Sequence, residues 1–270
     1  RTGYVTFAGK PNVGKSTLMN AMLQHKLSIV TPKPQTTRHR VLGIMNGSGH
    51  QRIFLVTPGL IKPRPQLQKA LTKTTRTTLY EADVVCMLIQ ATGYNERDTL
   101  VLEAVQKIKD KPKLLIINKI DKVPRDNLLP LIKEFADMDI FQEIIPVSAL
   151  KLEGTEDLKK TILKYVPENE PLYPTDIISN DTERFFTAEL IREQIFKSYE
   201  KEIPYSTAVV IDSFKEREDG KDFISAQIFV ERDSQKAILI GKEGKALKAV
   251  GSESRQEIEH FLGRPVFLEL

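Results

Sequence analysis

Short apolar runs alternate with stretches of helical periodicity through the first 165 residues. Tyr4–Ala8, Val41–Met45, Gln51–Val56, 83–89, Lys113–Ile117 and Glu143–Val147 are too short for helices and nearly continuous rather than alternating. Such runs predict strands buried on both faces, and helices are predicted between them at 18–23, 65–81, 97–109, 126–136 and 155–165. The fold class is therefore α/β, a mostly parallel sheet covered by helices on both faces. The pair 41–45 and 51–56 flanks Asn46-Gly47 and predicts a hairpin with its turn there. In sheets of this kind ligands collect at the C-terminal strand ends.

Three prolines at 167, 171 and 174 interrupt the pattern. They stop a helix and hold an extended crossing, which predicts a linker over 168–182 between domains at 1–167 and 183–270. Beyond it the periodicity predicts a helix from Thr182 to Tyr199, strands at 207–212 and 223–230, helices at 234–240 and 245–261, and a last strand at 265–270. That order, αββααβ, is a second domain of α+β class.

With 40% apolar and 28% charged residues in 270, the chain has enough material for two cores. No run of eighteen apolar residues occurs and the first residues read as strand rather than leader, so a cytoplasmic chain is expected. The single cysteine, Cys86, lies inside an apolar run and excludes a disulfide framework. The histidines at 25, 39, 50 and 260 have no metal-site spacing. The net charge of +4 is unevenly divided, +9 over residues 1–175 and −5 over 176–270. Overall basicity thus says nothing about nucleic-acid binding by the second domain, which has to rest on local sequence.

The chemistry is concentrated after the first predicted strand, at Gly9-Lys10-Pro11-Asn12-Val13-Gly14-Lys15-Ser16-Thr17. The spacing G-x-x-x-x-G-K-S between strand and helix lets backbone N–H groups curl around a polyphosphate at a helix N-terminus. Lys15 then reaches the outer phosphates and Ser16 binds Mg²⁺. Asn118-Lys119-Ile120-Asp121 ends a later strand, where the Asp121 carboxylate accepts from N1–H and the 2-amino group of guanine, a donor pair adenine lacks. Asn118 braces the loops, Lys119 lies over the ring, and Ser148-Ala149-Leu150 fits a second contact to the base.

Together with Gln35–Arg40 and Thr57-Pro58-Gly59-Leu60, these motifs resemble the Era family of bacterial GTPases over nearly the whole chain. The resemblance implies a Ras-like P-loop NTPase domain that binds GTP and GDP with Mg²⁺ and hydrolyses GTP slowly. Thr36 and Thr37 fall in the first switch, where one of the two meets Mg²⁺ and the γ-phosphate, and Pro58-Gly59 brings an N–H in the second. The family pattern D-T-P-G reads Val56-Thr57-Pro58-Gly59 here, so a hold on a Mg²⁺-bound water is missing, and a nucleotide-binding module with impaired hydrolysis stands as the alternative. Leu60 replaces the water-positioning glutamine of Ras-like enzymes. Asn12 either binds a K⁺ ion that assists catalysis or structures its loop. Gln90 replaces an aspartate frequent in relatives.

Between the two late helices, Ile240-Gly241-Lys242-Glu243-Gly244 is the I-G-x-x-G loop of a KH domain, and the αββααβ order makes it type II. Its glycines permit close approach of an RNA backbone. Arg232, Lys236, Lys242, Lys245 and Lys248 against Asp233 and Glu243 leave a local surplus of +3, while Glu243 within the loop repels phosphate. Val230, Ile238 and Ile240 are expected as the apolar floor of the groove. The resemblance implies the 3′ end of 16S ribosomal RNA as target and the assembling small ribosomal subunit as partner. It also implies a monomer, with peripheral inner-membrane association reported in the family although no amphipathic anchor is evident here.

Overall fold

The computed structural model describes residues 1–58, 77–218 and 220–270, and its contacts divide the chain into two units. The first, Arg1–Ser28 with Thr37–Asn180, is built on a six-stranded sheet. Its strands are β1 (Thr2–Ala8), β2 (Val41–Gly47), β3 (His50–Val56), β4 (Val84–Gln90), β5 (Lys113–Asn118) and β6 (Glu143–Val147). The order is β2-β3-β1-β4-β5-β6, all parallel except β2 against β3. Because β1 lies between β3 and β4, the chain leaves it at the point where strand order reverses, and the crevice there is where such sheets bind ligands.

Helices α1 (Lys15–Leu23), α2 (Glu96–Gln106), α3 (Leu128–Asp137) and α4 (Thr155–Tyr165) belong to this unit. Of the helix expected at 65–81, residues 77–81 are helical and the remainder, 65–76, lies outside the described residues. Strand β4 is buried on both faces, as its continuous apolar run requires, and burial pushes the Cys86 thiol far above its ordinary pKa. Inert packing is the thiol's role. The α2 N-terminus is closed by Asn95, which accepts from Arg97 N at 3.1 Å while Asp98 accepts from Asn95 N at 3.0 Å. The hairpin forms, with its turn displaced to Ser48-Gly49: Asn46 pairs with Gln51 and Gly47 with His50 inside the ladder. Gly49, at φ 70°, supplies the left-handed residue that Asn46-Gly47 was expected to provide. Residues 172–179 run beside the hairpin, where Gln51 Oε1 accepts from Leu172 N and Tyr173 N, and Ile44 N donates to Ile178 O.

The second unit comprises Asp181–Leu270 and, unexpectedly, Ile29–Thr36. It contains α5 (Glu183–Ser198), the short α6 (Ile203–Ser206), β7 (Ala208–Lys215), β8 (Asp222–Phe229), α7 (Asp233–Ile240), α8 (Lys245–Leu262) and β9 (Val266–Glu269). The expected αββααβ order is present with one addition, α6, a single turn too short to show periodicity. β8 is the central strand, antiparallel to β7 and parallel to the edge strand β9. One face of this sheet packs with α5, α7 and α8 around Ile191, Ile195, Ile224, Leu239, Val250 and Ile258. The segment 29–36 is held by Lys33, whose ammonium caps the last carbonyls of α5 at Phe196 (2.5 Å) and Tyr199, and by Arg192, which donates to Thr36 O. A cation at a helix C-terminus is favoured by the helix dipole.

Arg264 ties the ends of this unit together, donating to buried Asp222 at 2.5 Å and to Glu183 at 2.7 Å. The Arg264 hydrogen bond holds the Asp222 carboxyl below its ordinary pKa. A depressed carboxylate stabilises the fold above the unfolded-state pKa, and that contribution disappears as pH falls through the folded value. Arg264→Met should therefore destabilise the second unit by about 2 kcal/mol near neutrality, less than for a fully buried pair because Arg264 is partly solvated. The loss should shrink in acid, as read by hydrogen exchange of β8 and β9 amides at both pH values.

Candidate nucleotide and nucleic-acid sites

The loop Gly9–Gly14 closes around the end of β1 because its backbone takes conformations open to few residues. Asn12 has φ 60° and Gly14 φ 107°. A Cβ on Gly14 would stand 2.2 Å from Asn118 Nδ2, and one on Gly9 would stand 2.7 Å from Val13 Cγ1 and 3.0 Å from Leu88 O. Both glycines are thus required by space, one of them also by φ. Lys15 begins α1 and is buried; its ammonium donates to Gly9 O and Lys10 O, each at 3.0 Å. Burial lowers its pKa to about 7. Thr17 follows in the first turn of α1.

Carbonyls of the loop are held from the neighbouring strand ends. Asn118 Nδ2 donates to Val13 O at 2.9 Å, while Asn118 Oδ1 accepts from Ala149 N at 3.1 Å. Gln90 Nε2 and Lys119 Nζ both donate to Asn12 O, at 2.9 and 2.6 Å. Gln90 therefore holds the Asn12 carbonyl of this loop from the end of β4. Lys119 itself is left-handed at φ 66°, and desolvation lowers its pKa. Beside it Asp121 is exposed, its Oδ1 accepting from Ser148 Oγ at 2.6 Å. Ser148 is fixed by a two-bond bridge to Glu153, which presents Ala149 N inward and leaves Leu150 exposed. Asn118 and Lys119 thus touch the loop directly, Ala149 is tied to it through Asn118, and Ser148 links Asp121 to the same cluster.

Thr37 Oγ1 lies 3.1 Å from Ser16 Oγ, whereas Thr36 has its carbonyl engaged by Arg192. Of the two threonines, Thr37 presents a hydroxyl to the loop. Val56 is fully buried, paired with Val41 across the hairpin and in register with Phe7. Pro58 is buried at the end of the described stretch, while Gly59 and Leu60 lie outside the described residues. The site fits a magnesium-bound nucleoside polyphosphate: a loop with no room for a Cβ at Gly14, a buried ammonium held by two carbonyls, and two hydroxyls in contact.

In the second unit, the turn between α7 and α8 uses three left-handed residues, Gly241 (φ 72°), Glu243 (φ 54°) and Gly244 (φ 72°). A Cβ at Gly241 would lie 2.6 Å from Ala246 Cβ, while Gly244 faces open space. Lys242 and Lys248 are exposed, and Glu243 is paired with Lys245 at 3.0 Å, which offsets the acid expected to repel phosphate. Arg232 and Lys236 are exposed at and near the start of α7. A cleft of about 430 Å³ opens beside the turn, lined by Gly244, Leu247, Lys248, Gly251, Ser252, Arg255, Leu268 and Leu270. Its apolar wall comes from α8 and β9 rather than from the expected Val230, Ile238 and Ile240. Ile238 faces solvent at 55% exposure, and Val230 packs against the core. Sequence had no means of selecting the α8 face, because the parallel pairing of β9 beside β8 decides it.

The match to protein-family models covers residues 4–119 with "50S ribosome-binding GTPase" and residues 202–270 with "KH domain". A GTPase Era from a Geobacter species is 46% identical over 270 residues, spanning all of this chain and 91% of the relative. A chloroplastic GTPase ERA-like protein of Arabidopsis thaliana is 45% identical over 276 residues, spanning all of this chain and 64% of that protein. Two solved structures superimpose with a TM-score of 0.95 at 44% identity, over all of this chain and 92% of theirs. One is an Aquifex aeolicus Era variant bound to GDP·AlF4⁻, the other an Era in complex with MgGDPNP and nucleotides 1506–1542 of 16S ribosomal RNA.

The depressed Lys15 pKa has a measurable consequence. A bound polyphosphate favours the ammonium, so the complex holds a proton that the free loop sheds above about pH 7. Nucleotide affinity should fall as pH rises from 7 to 9, by at most about tenfold per unit. Calorimetry in two buffers of different ionisation heat should show proton uptake on binding, lost in Lys15→Met.

Proposed function

Because the chain belongs to the Era family of GTPases, we propose that it couples GTP binding and hydrolysis in its first unit to recognition of the 3′ end of 16S ribosomal RNA by its second. The observation that supports the nucleotide half is Asn118, whose side chain donates to Val13 O and accepts from Ala149 N, tying the loop after β6 to the glycine loop. The RNA half is supported by the glycine turn, its lysines and the adjoining cleft, and by the RNA segment held in the related complex. That segment favours the small ribosomal subunit as the partner.

In this reading Gly9–Thr17 wraps the phosphates, with backbone N–H groups at the start of α1 aimed at negative charge. Lys15 leaves its carbonyl partners for the outer phosphates, and Asn118, Lys119, Asp121, Ser148, Ala149 and Leu150 form the base site. Ser16 and Thr37 hold Mg²⁺, which neutralises charge developing on the phosphate oxygens. Pro58-Gly59 serves as the second switch. Asn12, whose backbone carbonyl is tied by Gln90 and Lys119, either structures this loop or holds a K⁺ ion with its side chain. Arg232, Lys236, Lys242, Lys245 and Lys248 contact the RNA backbone at Gly241–Gly244, while Leu247, Leu268 and Leu270 line the base-binding cleft.

Val56 cannot accept the hydrogen bond of a metal-bound water, so turnover requires more Mg²⁺ than an aspartate there would. Val56→Asp should lower the Mg²⁺ concentration for half-maximal GTP turnover by about tenfold. An unchanged Mg²⁺ dependence would mean that another group already holds the water.

Replacing both Lys242 and Gly244 with Asp tests the RNA half, since it places acid and bulk at the turn while leaving the phosphate loop intact. Affinity for a single-stranded oligonucleotide of the 16S 3′ end should fall about a hundredfold and its salt dependence should flatten, with GTP affinity unchanged. Undiminished RNA binding would remove the turn from the interface.

A further inference from the structure

Lys10 occupies a phosphate-loop position for which the G-x-x-x-x-G-K-S spacing demands no residue type. It is nonetheless buried, with its ammonium 2.7 Å from a carboxylate oxygen of Asp98. Asp98 comes from the first turn of α2, is wholly buried, and takes a second hydrogen bond from Asn95 N at 3.0 Å. Its other oxygen, Oδ1, is buried without a hydrogen-bond partner among the described residues. A buried ion pair with an unsatisfied oxygen is a poor source of stability, because desolvating both charges offsets their attraction and an apolar pair serves as well. Its value lies in what it holds in place.

Lys10 joins Asp98 to the catalytic lysine. Its side chain is gripped by the carboxylate, and its carbonyl oxygen accepts the Lys15 ammonium at 3.0 Å and Val13 N at 3.4 Å. Lys10 and Lys15 are each only 6% exposed, so two ammonium groups share one short loop. Without a carboxylate for Lys10, both would be drawn to the same polyphosphate, and the main chain on which Lys15 rests would lose its charged anchor. Carbonyls of Asn12 and Val13 are held by Gln90, Lys119 and Asn118, all from the ends of β4 and β5. Asp98 fastens the opposite end of the loop from a helix.

We propose that Asp98 and Lys10 are positioning residues for nucleoside di- and triphosphate binding: the carboxylate withdraws Lys10 from the phosphates and fixes the Gly9–Lys10 backbone so that Lys15 alone engages them. The pair faces the loop common to both nucleotides rather than the switches, so it acts equally on GDP and GTP.

Titration of the full chain with a fluorescent GDP and a fluorescent GTP analogue tests this. Asp98→Asn keeps shape while removing charge, Lys10→Met removes the ammonium, and Lys10→Arg keeps a cation within reach of Asp98. Affinity for both nucleotides should fall at least tenfold in Asp98→Asn and Lys10→Met and stay near wild type in Lys10→Arg. Preference for guanine over xanthine nucleotides should not change. If a single variant folds poorly, the double variant Lys10→Met with Asp98→Asn leaves no unpaired buried charge, and thermal melting without nucleotide should then approach wild type while affinity stays low. Wild-type affinity in the folded double variant, or in either neutralising single variant, would overturn the proposal and leave a purely structural ion pair. A loss confined to GTP would also overturn it, by moving the effect to the γ-phosphate.

Discussion

The nucleotide site depends on the side chain of one buried asparagine. Asn118 ends β5, between β4 and β6, and each half of its amide is used: the NH₂ group donates to Val13 O and the carbonyl accepts from Ala149 N. Its own backbone carbonyl accepts from Ala91 N at the end of β4. A neighbouring strand end and two loops are thereby set against a residue with no freedom to move, since a group that is 1% exposed cannot replace these bonds with water. Gly14 has to be glycine for the same reason, because its missing side chain is the space the Asn118 amide fills.

Positive charge is concentrated where its solvation is reduced. Lys15 is buried and depressed toward neutrality, Lys119 is lowered by desolvation, and Lys10 relies on Asp98. A loop built in this way is unfavourable when it lacks an anion and favourable when one arrives, which places affinity for phosphate in the resting strain of its lysines. Carbonyls of Gly9, Lys10 and Asn12 serve as partners in the meantime.

The second unit uses the opposite strategy, with exposed lysines around a glycine turn and a cleft whose apolar wall is contributed by an edge strand. Exposed cations of this kind act over a range set by salt, while the cleft acts by contact. The same unit includes residues 29–36, secured by Lys33 at the end of α5 and by Arg192 at Thr36. Thr36, the last residue of that segment, is held by α5, while Thr37 belongs to the first unit and touches Ser16.

Much of this was legible in the amino-acid order. Continuous apolar runs specified β4 and β5, because a strand buried on both faces has no alternative pattern, and helix α4 lies where its periodicity placed it at 155–165. The phosphate loop, Asn118–Asp121 and the glycine turn were legible because each chemistry needs fixed residue types at fixed local spacing. What depends on contacts distant in sequence was not. Ser48-Gly49 took the turn from Asn46-Gly47 because the full β2–β3 register extends the ladder by two pairs. Lys10 and Asp98 are separated by 88 positions, and nothing in either neighbourhood announces the other. The apolar wall of the cleft followed from β9 pairing beside β8, and the assignment of residues 29–36 followed from α5. Local spacing carries chemistry along a chain, but which buried charge meets which, and which face of a helix meets a strand, is decided only when the sheet order brings them together.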